Sequence, residues 1–186
     1  PTQAVVQEHL SLYMAFDLSG SMSGRPLEEA KRAAGGFLHN IDLAHCSMGI
    51  IAFSDRTATK LHACQDAREI ERAIDELQMG ETGGANGTDP FNEVLSLLSD
   101  VKGRRFAIIL TDGVWSNQQQ AIEMARRCHK DEIEVIAIGF GGADREFLRA
   151  IASSDEGSLF TSLDGLFEAF STIAQVITET GGGGGL

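Results

Sequence analysis

Asp17, Ser19 and Ser21 stand two apart at the end of an apolar run, LYMAFDLSGSM from Leu12 to Met22. Side chains two apart along an extended chain project the same way, so one carboxylate and two hydroxyls can converge on a single ion. Oxygen donors alone suit a hard divalent cation, magnesium first and manganese or calcium next, better than zinc. Two later segments offer further oxygens: Thr88 in Gly87-Thr88-Asp89-Pro90, and Asp112 in Ile109-Leu110-Thr111-Asp112-Gly113. An apolar strand carries a carboxylate cheaply only where it leaves the sheet, which puts Asp17 and Asp112 at strand ends. Gly20 and Gly113 beside them are expected to free the backbone for tight turns. Two carboxylates with neutral hydroxyls leave a divalent ion electrophilic toward one more, incoming carboxylate.

The elements that would position these residues alternate along the chain. Apolar runs of strand length at His9–Leu18, Cys46–Ser54, Arg105–Thr111, Glu134–Phe140 and Ser158–Thr161 are separated by helical patterns. Those helices are expected over Pro26–Ile41, Asp66–Leu77, from Pro90 through Leu98, and over Asn117–Lys130, Asp144–Ala152 and Leu163–Thr178. Ala58–Cys64 reads as a sixth strand, joined to the second by so short a connection that the pair must be antiparallel and at an edge. The expected fold is therefore α/β: three layers, doubly wound, a mostly parallel six-stranded sheet of Rossmann-like kind with one antiparallel edge strand. Arg105–Thr111 is almost continuously apolar and should be central. Ligands of such sheets sit beyond the carboxyl ends of the strands, where the strand order switches.

Length and charge narrow the function classes. The 186 residues fit one domain, expected over 1–179, with a glycine-rich flexible tail or linker at 180–186. A formal net charge of −12 repels phosphate backbones and anionic lipid, so neither nucleic acid nor membrane insertion is expected. Cys46, Cys64 and Cys128 are odd in number and widely spaced, which is not a disulfide framework; a reducing, cytoplasmic setting is the expectation. Each lies near a histidine, yet neighbours such as His45 and Cys46 face opposite ways on a strand and cannot share a zinc ion.

Together, the D-x-S-x-S of Asp17, Ser19 and Ser21, the Thr88 of Gly87-Thr88-Asp89 and the Asp112 of Thr111-Asp112-Gly113 resemble the metal-ion-dependent adhesion site of von Willebrand factor A (VWA) domains. The resemblance covers nearly the whole chain, with the three motifs in the family's order. It implies that Ser19, Ser21 and Thr88 hold the ion directly or through water. Asp17 and Asp112 would act largely through ordered water and hydrogen bonds, leaving one position for a partner's Asp or Glu. The glycine pair that often directly precedes the family's threonine is displaced here: Ala85-Asn86-Gly87 separates Gly83-Gly84 from Thr88, which makes Thr82 the alternative ligand. Met22, Ala85, Asn86 and Trp115 are the expected partner contacts around the ion, and other domains of a longer chain are possible partners.

Enzymatic readings fit the residues poorly, and no catalytic residue is expected. A haloacid-dehalogenase-type phosphatase also begins with an aspartate after its first strand, but needs a second aspartate where Ser19 stands, so the reaction would lack its proton donor. Gly20-Ser21-Met22-Ser23-Gly24 has methionine at the centre, where a serine hydrolase elbow needs serine. The glycine-rich segment from Gly83 to Gly87 lacks the lysine of a phosphate-binding loop. The competing non-enzymatic reading is a scaffold or structural subunit with constitutive or no metal and its interface elsewhere.

Overall fold

A computed structural model describes residues 8–181. Six strands, β1 (Leu10–Asp17), β2 (Cys46–Phe53), β3 (Thr57–Cys64), β4 (Arg104–Thr111), β5 (Ile133–Gly139) and β6 (Ser158–Phe160), form one sheet in the order β3-β2-β1-β4-β5-β6. All neighbours pair in parallel except β2 and β3. The chain winds outward one way from β1 and the other way from β4, so the switch point lies between these two strands. Asp17 closes one of them and Asp112 follows the other.

Helices cover both faces. Helices α1 (Arg25–Asn40), α2 (Ala67–Asp75) and α6 (Leu166–Gly181) pack on one side, and α3 (Phe91–Leu98), α4 (Gln118–Lys130) and α5 (Arg145–Ile151) on the other. The strand period of two divides each central strand between two cores. Leu12, Met14 and Phe16 join Phe106, Ile108 and Leu110 under the first helix layer, while Tyr13 and Ala15 join Ala107 and Ile109 under the second. Because both faces are dry, β1 is buried at all eight positions.

The sequence signals act locally as expected. Pro26 lies in the first turn of α1, and the Asp66 carboxylate accepts the Arg68 and Glu69 amides to start α2. The segment expected as one helix from Leu163 divides instead: Leu163–Gly165 is a tight turn capped by Ser162, and α6 follows. Edge strand β3 slips register against β2 around Ile50, where Tyr13 crosses Gly49; a Cβ at Gly49 would lie 2.3 Å from its ring. The Tyr13 hydroxyl accepts the Ala63 amide at 2.9 Å. The expected tail beyond Gly181 lies outside the described residues. Among the described residues no helix is long and apolar enough to cross a membrane.

Candidate metal centre

Four of the five expected metal-site residues are linked by short polar contacts above the switch point. Asp17 Oδ1 accepts the Ser19 amide at 2.8 Å, Ser19 Oγ lies 3.4 Å from Ser21 Oγ, and Ser21 Oγ donates to Asp112 Oδ1 at 2.8 Å. Asp17 and Ser19 are buried, whereas Ser21 is exposed, so the cluster opens to solvent on the Ser21 side. Burial pushes both carboxyls above their ordinary range. At Asp17 the bonds from Thr111 and Ser19 oppose that shift; at Asp112 the Ser21 bond opposes it and the charge of Asp17 adds to it.

Thr111 orients the deeper carboxylate. Its hydroxyl donates to Asp17 Oδ2 at 2.6 Å and accepts the Gly113 amide at 3.2 Å and the Trp115 indole Nε1–H at 3.0 Å. Trp115, expected on the surface as a partner contact, is 3% exposed. Its ring packs against Phe53, Phe91 and Phe147, because β4 is roofed by α3 and α5 and the loop folds inward to bury the indole. Met22 is likewise corrected: it is fully buried in the α1-side core, since the tight turn Gly20–Met22 aims it under the loop.

The loop before α3 brings the remaining candidates. The Thr88 amide donates to the Ser54 carbonyl at 3.0 Å, one residue past Phe53, the register partner of Asp17. Thr88 therefore reaches the same end of the sheet through its backbone, with its side chain half-buried. Thr82, the alternative ligand, is fully buried and its hydroxyl is engaged with Ser54 Oγ at 2.8 Å. Ala85 is exposed. Asn86 is half-buried, with its side-chain amide turned into the cluster: oriented so that donor meets acceptor, Nδ2 lies 3.1 and 3.3 Å from the two oxygens of Asp17.

Neither Gly20 nor Gly113 has a positive φ, so turn strain does not explain them. Close approach does at Gly113: a Cβ there would stand 2.9 Å from the Asn86 amide.

The donor chemistry fits a hard cation. Neither Asp17 nor Asp112 has a salt-bridge partner among the described residues, although both are buried. A buried charge normally finds a counter-charge or a metal. The remaining donors are hydroxyls, and no cluster of three or more His, Cys, Asp or Glu side chains forms among the described residues.

Residues 11–175 match the von Willebrand factor type A domain. The chain belongs to that family. A von Willebrand factor A domain-containing protein of Dictyostelium discoideum is 27% identical over 158 residues, covering 82% of this chain and 17% of the relative. The chain spans only 17–40% of the length of the first such relatives. Among solved structures, the domain from the type V pili tip protein of Porphyromonas gingivalis superposes with a TM-score of 0.85 at 12% identity, covering 98% of this VWA domain and 99% of that chain. Proximal thread matrix protein 1 from the mussel byssus, whose MIDAS motif (the metal-ion-dependent adhesion site) is occupied by zinc, superposes at 0.80 with 20% identity over 92% of this VWA domain and 46% of that chain.

Three residues of the site escaped the motif reading. Thr111 was visible as part of ILTDG, but only its bonds reveal its role. Asp55 accepts the Gly84 and Ala85 amides at 3.0 and 3.3 Å and pins the glycine-rich loop; an aspartate opening the β2–β3 turn was its only signal. Val114, two residues past Asp112 and 58% exposed, is an apolar side chain on the loop after β4, and nothing in its spacing marked it.

Proposed function

We propose that this VWA domain binds a partner protein through a divalent cation held by Ser19, Ser21 and Thr88, with Asp17 and Asp112 supporting it. The observation that carries this reading is the pair of buried carboxylates that have no salt-bridge partner among the described residues. Domains of this family are protein–protein interaction modules, and the zinc-occupied mussel relative supports a cation at the corresponding motif. When bound, the cation supplies an electrophilic position for a partner's Asp or Glu. Magnesium is the ion proposed.

The chain's own residues shape the rest. Thr111 and the Ser19 amide hold the Asp17 carboxylate in one orientation. Ala85 and Val114 stand exposed on the rim and take the contact role that buried Met22 and Trp115 cannot. A cleft lined by Pro26, Phe140, Arg145, Phe160 and Leu163 opens beside Asp112 and suits the partner residue next to the carboxylate. The Arg145 guanidinium lies 4.2 Å over the Phe160 ring there and favours an acidic segment.

The test is thermal unfolding in EDTA and in Mg²⁺, Mn²⁺, Ca²⁺ and Zn²⁺, run on the natural chain and on Asp112→Ala. An ion at about 100 times its Kd adds roughly 2.7 kcal/mol, or about 5–10 °C for a domain this size. A shift in the natural chain alone supports the centre. No shift with any ion moves the interface to another part of the acidic surface.

A further inference from the structure

Asn86 is held at the centre by contacts that do not involve its side chain. Its carbonyl accepts the Ser116 amide at 3.2 Å and the Ser116 hydroxyl at 2.6 Å, tying this loop to the one that carries Asp112. From that anchor the side-chain amide lies against Gly113 and reaches both oxygens of Asp17, at 3.1 and 3.3 Å. The opposite orientation would set an amide oxygen against two carboxylate oxygens. Asp17 already receives the Ser19 amide on one oxygen and the Thr111 hydroxyl on the other. The Asn86 amide therefore adds a further donor to a carboxylate already bonded on both oxygens.

We propose that Asn86 is an internal competitor for the cation: in the metal-free protein its amide caps the Asp17 carboxylate, and an incoming ion must displace it. This rests on the metal-centre reading above. The Asn86 N–H and a water carried by the ion would donate to the same Asp17 lone pairs, but a neutral amide cancels none of the charge shared by Asp17 and Asp112, so the hydrated ion prevails once its concentration suffices. Displacement frees the side chain at the rim where a partner would dock. Through Ser116 it also couples the loop before α3 to the loop after β4.

The test pairs two measurements on the natural chain and on Asn86→Ala, with Asp112→Ala as the control that abolishes the site. Magnesium titration by calorimetry should show Asn86→Ala binding about three- to tenfold tighter, the order of a hydrogen bond to a charged group offset by loop ordering. Weaker binding would make Asn86 a ligand through its carboxamide oxygen and overturn the proposal. In EDTA, NMR should find the Asn86 side-chain amide protons protected from solvent exchange, and magnesium should release them. Exchange in EDTA as fast as for an exposed asparagine would remove the cap whatever the metal does. Protection in EDTA with no ion bound by either chain would instead reject the metal-centre reading and, with it, competition.

Discussion

Trp115 dictates where the proton of Thr111 points. The indole Nε1–H donates to Thr111 Oγ1 at 3.0 Å and the Gly113 amide donates at 3.2 Å. A hydroxyl has two acceptor lone pairs and one proton. With both lone pairs taken, the proton is directed to Asp17 Oδ2, 2.6 Å away. A buried aromatic on the loop after β4 thus orients the Asp17 carboxylate through Thr111, and that loop cannot move without disturbing β1's last residue.

Thr111→Val should expose the cost of that arrangement. The substitution keeps the shape but leaves the Trp115 and Gly113 donors without their acceptor and removes the shortest of the bonds to Asp17. The expected loss is about 2–3 kcal/mol in urea unfolding run in EDTA. Thr111→Ser, which keeps the hydroxyl, should recover most of it. A loss in Thr111→Ser with little or none in Thr111→Val would show that the methyl packing matters and the hydroxyl does not.

Backbone strain outside the site gives an independent prediction. Glu132, exposed at the end of α4, has φ 62°, the one non-glycine with positive φ among the described residues. It sits where the helix closes, its amide donating to the His129 carbonyl at 3.0 Å, a position that glycine fills without a Cβ penalty. Glu132→Gly should raise stability by about 0.5–1 kcal/mol. A loss of that size instead would mean that restricting the unfolded chain outweighs relief of the folded one.

The architecture was legible because its signals are local and repeated. Alternation of apolar strands with helix-period segments, Pro26 near the start of α1, Asp66 before α2 and the short β2–β3 turn each act within a few residues. Asp17 and Asp112 were legible as strand-end carboxylates for the same reason. What escaped were orientations set by partners far along the chain. Trp115 reads as a loop aromatic until Phe53, 62 positions earlier, is seen packed on its ring. Met22 reads as rim until the turn carries it into the α1 core. Asn86 and Asp17 are 69 positions apart, and only the fold makes one amide meet that carboxylate.

The thiols make stability depend on alkaline pH. Burial pushes Cys46 and Cys128 up to about 12, with Asp42 adding to the first and Asp89 and Asp131 to the second. A folded-state value above that of the unfolded chain contributes fully below the unfolded value and is lost as pH rises toward the folded one. Here the loss begins near the ordinary thiol range, at about pH 9, and continues to about pH 12. Between pH 8 and 10 the two thiols together should cost about 2–3 kcal/mol. The double variant Cys46→Ala, Cys128→Ala should start less stable but fall more gently over that interval; parallel curves would assign the alkaline loss to other groups.

Asp55 should prove to be the clamp on the loop that carries Asn86 and Thr88. Its carboxylate accepts the Gly84 amide at 3.0 Å and the Ala85 amide at 3.3 Å, and lies so close to Gly83 that a Cβ there would stand 2.3 Å from it. Gly83 itself has φ 109°, so the loop is bent around this carboxylate in a conformation other residues resist. Asp55 is exposed, so the two bonds compete with water and Asp55→Ala should lower global stability by only about 1 kcal/mol. The local effect should be larger: the Gly84 and Ala85 amides should exchange with solvent at least about tenfold faster, the factor that corresponds to 1.4 kcal/mol of local opening. Protection of the Asn86 side-chain amide should fall with them. If those two backbone amides exchange unchanged in Asp55→Ala, the loop is held instead by the Gly20 amide on the Gly84 carbonyl, at 3.1 Å, and by the Ser116 contacts to Asn86.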